Sequence, residues 1–176
     1  MRSLTRSGAY VRVFNPDWGD PLDTGASRAH GGRWNPPGRF GALYLCRDRS
    51  VAAANVRARH AGRAIGLFDL KPERRPHLLQ LHVPRSACLD AVSAAGVADL
   101  DLPRTFPDAV PHSRCQRIGV RAYRAGTYRG IACRSAAECR PATWVGEELA
   151  WFDSSPPLRE TGPREDFPTW YPDPIP

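Results

Sequence analysis

The sequence predicts an α+β domain, a compact mixed sheet with flanking helices, and three observations predict it. Several short apolar or alternating runs read as strands with few helical runs between them, which argues against a doubly wound parallel sheet. From His112 to Ala125, Cys115, Ile118, Ala122 and Ala125 fall at i, i+3, i+7 and i+10, one face of an amphipathic helix. The chain has 176 residues, 41% of them apolar, which suits one domain able to bury a core of its own.

The elements follow in order. Tyr10 to Phe14 alternates and reads as a short strand. Asn15 to Pro37, rich in Gly, Pro and Asp, reads as a long loop. Ala42 to Cys46 is an apolar strand. Ser50 reads as the N-cap of a helix running from Val51 to about Ala61. Ala64 to Leu70 and Leu78 to Val83 read as two strands separated by a charged turn. Pro84 to Leu102 is ambiguous, because its alanines favour helix while Gly96 and Pro103 break it. The helix at 112–125 comes next, and Tyr128 to Arg134 and Leu149 to Phe152 are the last strands. The folded region is expected over 1–153.

The remaining segment, 154–176, is expected to be a Pro-rich acidic tail. Asp153 to Pro176 holds seven of the eighteen prolines and nets −3, which leaves +10 on the body out of a total of +7. Its prolines argue against a helix or a central strand. Two arrangements stay open: disorder, or packing on the basic body through Phe167, Trp170 and Tyr171. In either case its removal is expected to cost little stability, and a tail covering a pocket would raise ligand binding when removed.

Charge and composition narrow the function. Lys71 is the single lysine, so nearly all the base is Arg, the side chain suited to bidentate phosphate recognition. The arginines are scattered rather than gathered in a basic helix, which weighs against nucleic acid as the partner of this chain. No apolar run reaches the roughly 20 residues of a membrane span, and the N-terminus lacks the apolar stretch of a signal peptide. A cytoplasmic protein is expected. The cysteines, Cys46, Cys88, Cys115, Cys133 and Cys139, are odd in number and form no CxxC pair, so free thiols are expected. The histidines show no metal spacing, and neither a Gly-x-Gly-x-x-Gly nor a phosphate-binding P-loop is present.

The loop Gly31-Gly32-Arg33-Trp34-Asn35-Pro36-Pro37-Gly38 carries the chemistry. Its glycines allow close approach of backbone to a ligand. Arg33 follows them, Trp34 offers a flat apolar surface and Asn35 an amide. The bland alternative is a tight turn whose Trp plugs the core.

The run GGRWNPPG, followed by ALYL and a helix of small residues, resembles the RES domain family, named for its Arg, Glu and Ser residues. The likeness continues in order along roughly residues 10–153. Arg12 in YVRVF matches the arginine of the family's first strand, and Leu22 to Ala26 its Asp/Gly turn. Tyr44 matches the tyrosine of the next strand, Ser135 in GIACRSA the serine, and Trp144 to Phe152 the closing strand. The resemblance implies a fold like that of ADP-ribosyltransferase toxins and a bacterial toxin held by a protein antitoxin with Xre-type features. It implies NAD as substrate or ligand rather than as a resident cofactor. Family members cleave the nicotinamide–ribose bond with water or phosphate, and one lineage transfers ADP-ribose to a protein. Arg33 would then grip the pyrophosphate, with Gly31, Gly32, Trp34 and Asn35 around it, and Tyr44 and Ser135 would face the nicotinamide ribose.

One position departs from the family. Its Glu lies on the helix eleven residues beyond the Tyr, and here that position is Asn55. No Asp or Glu stands between Arg49 and Asp69. If the Glu acts by charge, its loss costs about 10²–10³ in rate, and Asn55→Glu is expected to raise turnover. Glu138, Glu147 and Glu148 are candidate substitutes, each with a plain reading as a surface charge. Three readings follow: an NAD-cleaving toxin, a degenerate domain that binds NAD or ADP-ribose without turnover, and a basic nucleic-acid- or protein-binding module. Asn55 separates the first two, and the scatter of Arg weighs against the third.

Overall fold

The computed structural model describes residues 1–140, 143–144 and 146–172. The first long strand, β1 (Ser3–Phe14), starts earlier than its alternation suggested, because Ser3 to Arg6 pair with the far half of β3 (His77–Ala91). Pro84 does not end β3. Val83 pairs with Gly8 and Ser86 with Arg6, so Pro84 and Arg85 together oppose Ser7, and the bulge removes the need for a proline N–H.

The other strands are β2 (Ala42–Cys46), β4 (Gly130–Arg134), β7 (Glu147–Phe152) and the two-residue β8 (Arg159–Glu160). The short strands β5 (Cys139–Arg140) and β6 (Thr143–Trp144) pair with each other. The main sheet runs β1-β2-β7-β4-β3-β8, and β1 also pairs with β3, so five strands close a ring. Among the described residues only β3–β4 is parallel; the architecture is α+β with a mixed sheet. Tyr10, Phe14, Leu43, Leu45, Leu79, Leu81, Leu149 and Trp151 form the cluster on one face of these strands. Period-2 alternation puts Ala42, Tyr44, Ile131, Cys133, Ala150 and Phe152 on the other face, under α4 (His112–Ala125).

Helix α2 (Arg49–His60) begins one residue before the expected Ser50 cap. The Asp48 carboxylate takes the Val51 N–H at 3.0 Å, and a charged acceptor suits the positive helix end better than a hydroxyl. Within the expected loop 15–37, Gly25–His30 form α1. Ala94–Asp99 form α3, capped by Ser93. In α4, Cys115, Ile118 and Ala122 are buried as expected, but Ala125 is exposed in the last turn, ahead of the left-handed Gly126. Ala64 to Leu70 is not a strand. Asp69 takes the Gly66 N–H at 2.8 Å and turns the chain; Leu67 alone of its large apolar residues is buried, while Ile65 and Phe68 are exposed.

As far as Pro172, the C-terminal segment is neither disordered nor wholly irregular. β8 adds to the edge of β3 at Leu81 and His82, where an edge position tolerates nearby prolines. Phe167–Trp170 form a short helix, α5, with Pro168 in its first turn, a position that has no intrahelical N–H bond to lose. Phe167, Trp170 and Tyr171 are buried against Val11, Val51, Val56 and Leu78, and Arg49 pairs with Glu165 at 2.6 Å. Packing is therefore continuous across the boundary expected after 153. Among the described residues, no helix is long and apolar enough to cross a membrane.

Candidate functional site

The Gly-rich loop is held from three sides. The Gly32 N–H donates to the Asn35 carbonyl at 2.8 Å, and Gln116 of α4 donates to the Gly32 carbonyl at 2.9 Å. Gly31 has φ of +73°, which favours glycine. A Cβ on Gly32 would stand 2.5 Å from the Tyr44 hydroxyl, so the glycine admits the tyrosine ring. Tyr44 then acts as a hub: its hydroxyl accepts the Trp34 N–H at 2.9 Å and donates to Asn35 Oδ1 at 2.8 Å. Burial pushes its acidity well below that of a free phenol.

Two residues read as ligand-facing turn inward. Trp34 is fully buried against Phe106, and its indole N–H points to the Cys133 sulfur at 3.2 Å. Asn35 is also fully buried, and its amide donates to the carbonyls of Ser27 at 2.7 Å and Phe40 at 3.0 Å. Neither lines the cavity; they fix the loop's shape, because a buried amide and indole take partners from the fold.

Beside this loop lies a cavity of about 1010 Å³, at the upper end of the ~300–1,000 Å³ range of small-molecule sites. Gly31, Gly32, Arg33, Tyr44 and Asn55 line it, joined by Arg12, Trp18, Arg59, His112 and Glu148. Arg33 leaves one buried guanidinium nitrogen, Nη1, without a hydrogen bond. Ser135 is fully buried and its Oγ likewise lacks a partner; it does not line the cavity, although Ala136 next to it does. Asn55 points its amide to Glu148 Oε1 at 2.9 Å and to the Cys46 sulfur at 3.5 Å. Burial, reinforced by Glu148, pushes the Cys46 thiol up to about 12. Among the described residues none beyond Glu148 lines the cavity, so the described part of the tail does not cover it.

Arg12 ties the loop after β1 to β2. Its Nε donates to the Pro21 carbonyl at 2.7 Å and its Nη1 to the Tyr44 carbonyl at 3.2 Å, and its guanidinium lies 5.7 Å from the Trp18 ring. Burial and then Arg59 lower its pKa to about 10. Arg59 was legible from spacing, since it lies four residues beyond Asn55 on the same helix face. Of the three candidate glutamates, Glu148 reaches the cavity. Glu147 instead receives Arg6 Nε and Nη2, each at 2.6 Å, and the Tyr10 hydroxyl at 3.3 Å. Cys46, Cys88, Cys115 and Cys133 are buried free thiols, and the side chain of Cys139 lies outside the described residues.

The model of the RES domain matches residues 9–170. The chain belongs to the RES domain family. This RES domain is also similar in fold to a chain in the crystal structure of the M. tuberculosis MbcT–MbcA toxin–antitoxin complex, with a TM-score of 0.75. Identity is 22%, over 93% of this chain and 86% of that one. No curated protein matches it.

Proposed function

We propose that this RES domain cleaves NAD at the nicotinamide–ribose bond, with water or phosphate as acceptor, and acts as a toxin. The observation that carries this is the cavity's pairing of opposite charges. Arg33, Arg12 and Arg59 line it together with Glu148 and three loop aspartates, Asp17, Asp20 and Asp23. NAD has the same polarity, an anionic pyrophosphate and a cationic nicotinamide. The unpartnered Arg33 Nη1 suits a phosphate oxygen, because a buried guanidinium N–H is costly until an anion takes it. Family membership supports the same substrate, and the fold shared with a toxin–antitoxin complex supports a protein antitoxin, of Xre type by family resemblance, as the partner.

The chemistry asks for ligand orientation and for stabilisation of a cationic ribose. Tyr44 closes one wall, its hydroxyl committed to the loop, so its contribution is a rigid ring face rather than proton transfer. Ser135 Oγ is buried and without a partner, which supports a role in bonding a group that enters beside Ala136.

Purified protein incubated with NAD, with and without phosphate, tests this. Nicotinamide release is expected, absent in Arg33→Ala. NAD that binds without release supports the second reading, a binding domain without turnover, which Asn55 in place of the family's Glu favours. In cells, expression is expected to lower NAD and arrest a bacterial host, and Arg33→Ala to relieve both.

A further inference from the structure

The cavity holds a carboxylate whose place in the sheet the NAD-cleavage reading does not itself require. Glu148 lies on β7, the middle of three adjacent antiparallel strands. It pairs with Cys46 of β2 on one side and Cys133 of β4 on the other. Tyr44 pairs with Ala150, and the Ser135 N–H bonds to the Gly146 carbonyl. Glu148 is thus the diagonal neighbour of both Tyr44 and Ser135, on the same face, at the ~7–8 Å spacing of such pairs. Asn55, from the helix above, donates to its Oε1 at 2.9 Å.

The other carboxylates are excluded by placement. Glu147 faces the opposite side of the strand and is taken by Arg6 and Tyr10. Asp17, Asp20 and Asp23 sit on the exposed loop beside Arg12 and Trp18, where water screens them; Glu148 is half-buried. Glu138 does not line the cavity.

We propose that Glu148, oriented by Asn55, supplies the negative charge that faces the nicotinamide ribose of NAD as the glycosidic bond breaks. This rests on the NAD-cleavage reading above. In the step, the C1′–N bond breaks and its electron pair leaves with nicotinamide, which departs neutral. The acceptor oxygen bonds to C1′. With water as acceptor one proton passes to solvent; with phosphate an anionic oxygen attacks and none is lost. Glu148 makes and breaks no bond. In bound NAD the positive charge sits on the nicotinamide ring and midway it moves onto the ribose that Glu148 faces, so the effect of Glu148 falls more on kcat than on NAD affinity. Asn55 is a positioning residue: its amide hydrogen-bonds the carboxylate and adds no competing charge.

The test compares nicotinamide release and calorimetric NAD binding in wild type, Glu148→Gln and the double variant Asn55→Glu/Glu148→Gln. The double variant keeps a hydrogen bond between the two positions and moves the charge to the helix. Glu148→Gln is expected to lower kcat about 10²–10³-fold with NAD affinity little changed, and the double variant to recover much of that loss. If Glu148→Gln does not fold, Glu148→Asp, which retracts the charge by one methylene, must show the same split. Near-wild-type turnover in Glu148→Gln overturns this assignment and leaves NAD cleavage standing. A loss of affinity that matches the loss of turnover also overturns it, since the charge would then act in binding. Wild type that binds NAD but releases no nicotinamide overturns the cleavage reading and this assignment together.

Discussion

The two faces of β7 treat their polar groups in opposite ways. On one face Glu147 meets Arg6 and Tyr10, partners supplied by the fold itself, among Leu149, Trp151 and the interior of the strand ring. On the other face Glu148 meets Asn55 and opens to a cavity, near Arg33 and Ser135, each of which leaves one buried side-chain polar atom, Nη1 and Oγ, without a hydrogen bond. Buried polar groups in folded proteins are overwhelmingly paired. A face where pairing is complete maintains the fold, and a face where it is left incomplete is ready for a ligand. One residue's step along a strand separates the two roles.

The largest expected effect comes from unsealing the first kind of surface. Cutting the chain after Ser155 removes Leu158, Phe167, Trp170 and Tyr171, all buried. At about 1.5–3 kcal/mol each, their loss is comparable to the whole ~5–15 kcal/mol stability of a domain. The truncated chain is expected to be insoluble or unfolded by circular dichroism, although no described tail residue touches the cavity. A folded truncation with normal melting would show that the tail's aromatics are superficial.

Tyr44→Phe sharpens the comparison from the cavity side. It strands the Trp34 N–H and the buried side-chain Oδ1 of Asn35, at about 1–3 kcal/mol. A lowered Tm and weaker NAD binding are expected together, because the loop that presents Arg33 is shaped by that hydroxyl. Unchanged melting would remove the hub role. Arg33→Lys, in contrast, is expected to leave Tm nearly intact and weaken NAD binding about 10-fold or more, since a point charge cannot replace the guanidinium fork.

The smallest effect is expected from Asn55→Glu. The sequence alone suggested a gain in turnover. With Glu148 Oε1 2.9 Å from the Asn55 amide, a second carboxylate would share a proton with the first instead of adding a charge. Turnover at neutral pH is therefore expected to change little in the single variant, in contrast to the recovery expected in the double variant. A large gain would place the ribose nearer the helix than the strand.

Much of the fold was legible, and particular residues show why the rest was not. β2, α4 and the order of elements follow local patterns that tertiary contacts reinforce. Ala64 to Leu70 was misread because Ile65, Leu67 and Phe68 imitate a strand, yet the Gly66–Asp69 turn leaves two of them in water. Pro84 obscured the length of β3 because the bulge that accommodates it depends on β1, nearly eighty residues away in sequence. In the site, Arg33, Tyr44 and Asn55 do share one cavity. Trp34 and Asn35 were read as ligand groups because a Gly-rich loop gives no sign of which side chains fold beneath it. Glu148 could be named but not chosen over Glu147: a one-residue change of register exchanges the faces, and only pairing with both β2 and β4 fixes it.

The most direct test sets the neighbours side by side, measuring Tm and nicotinamide release for Glu147→Gln and Glu148→Gln. Losing the charge that Arg6 grips is expected to cost Glu147→Gln about 1–3 kcal/mol, a Tm drop of several degrees, with kcat near wild type. Glu148→Gln is expected to melt like wild type and lose about 10²–10³ in kcat. Two variants that lose stability and turnover in parallel, or a Glu147→Gln that loses turnover while Glu148→Gln keeps it, would contradict the division of the strand into a structural and a chemical face.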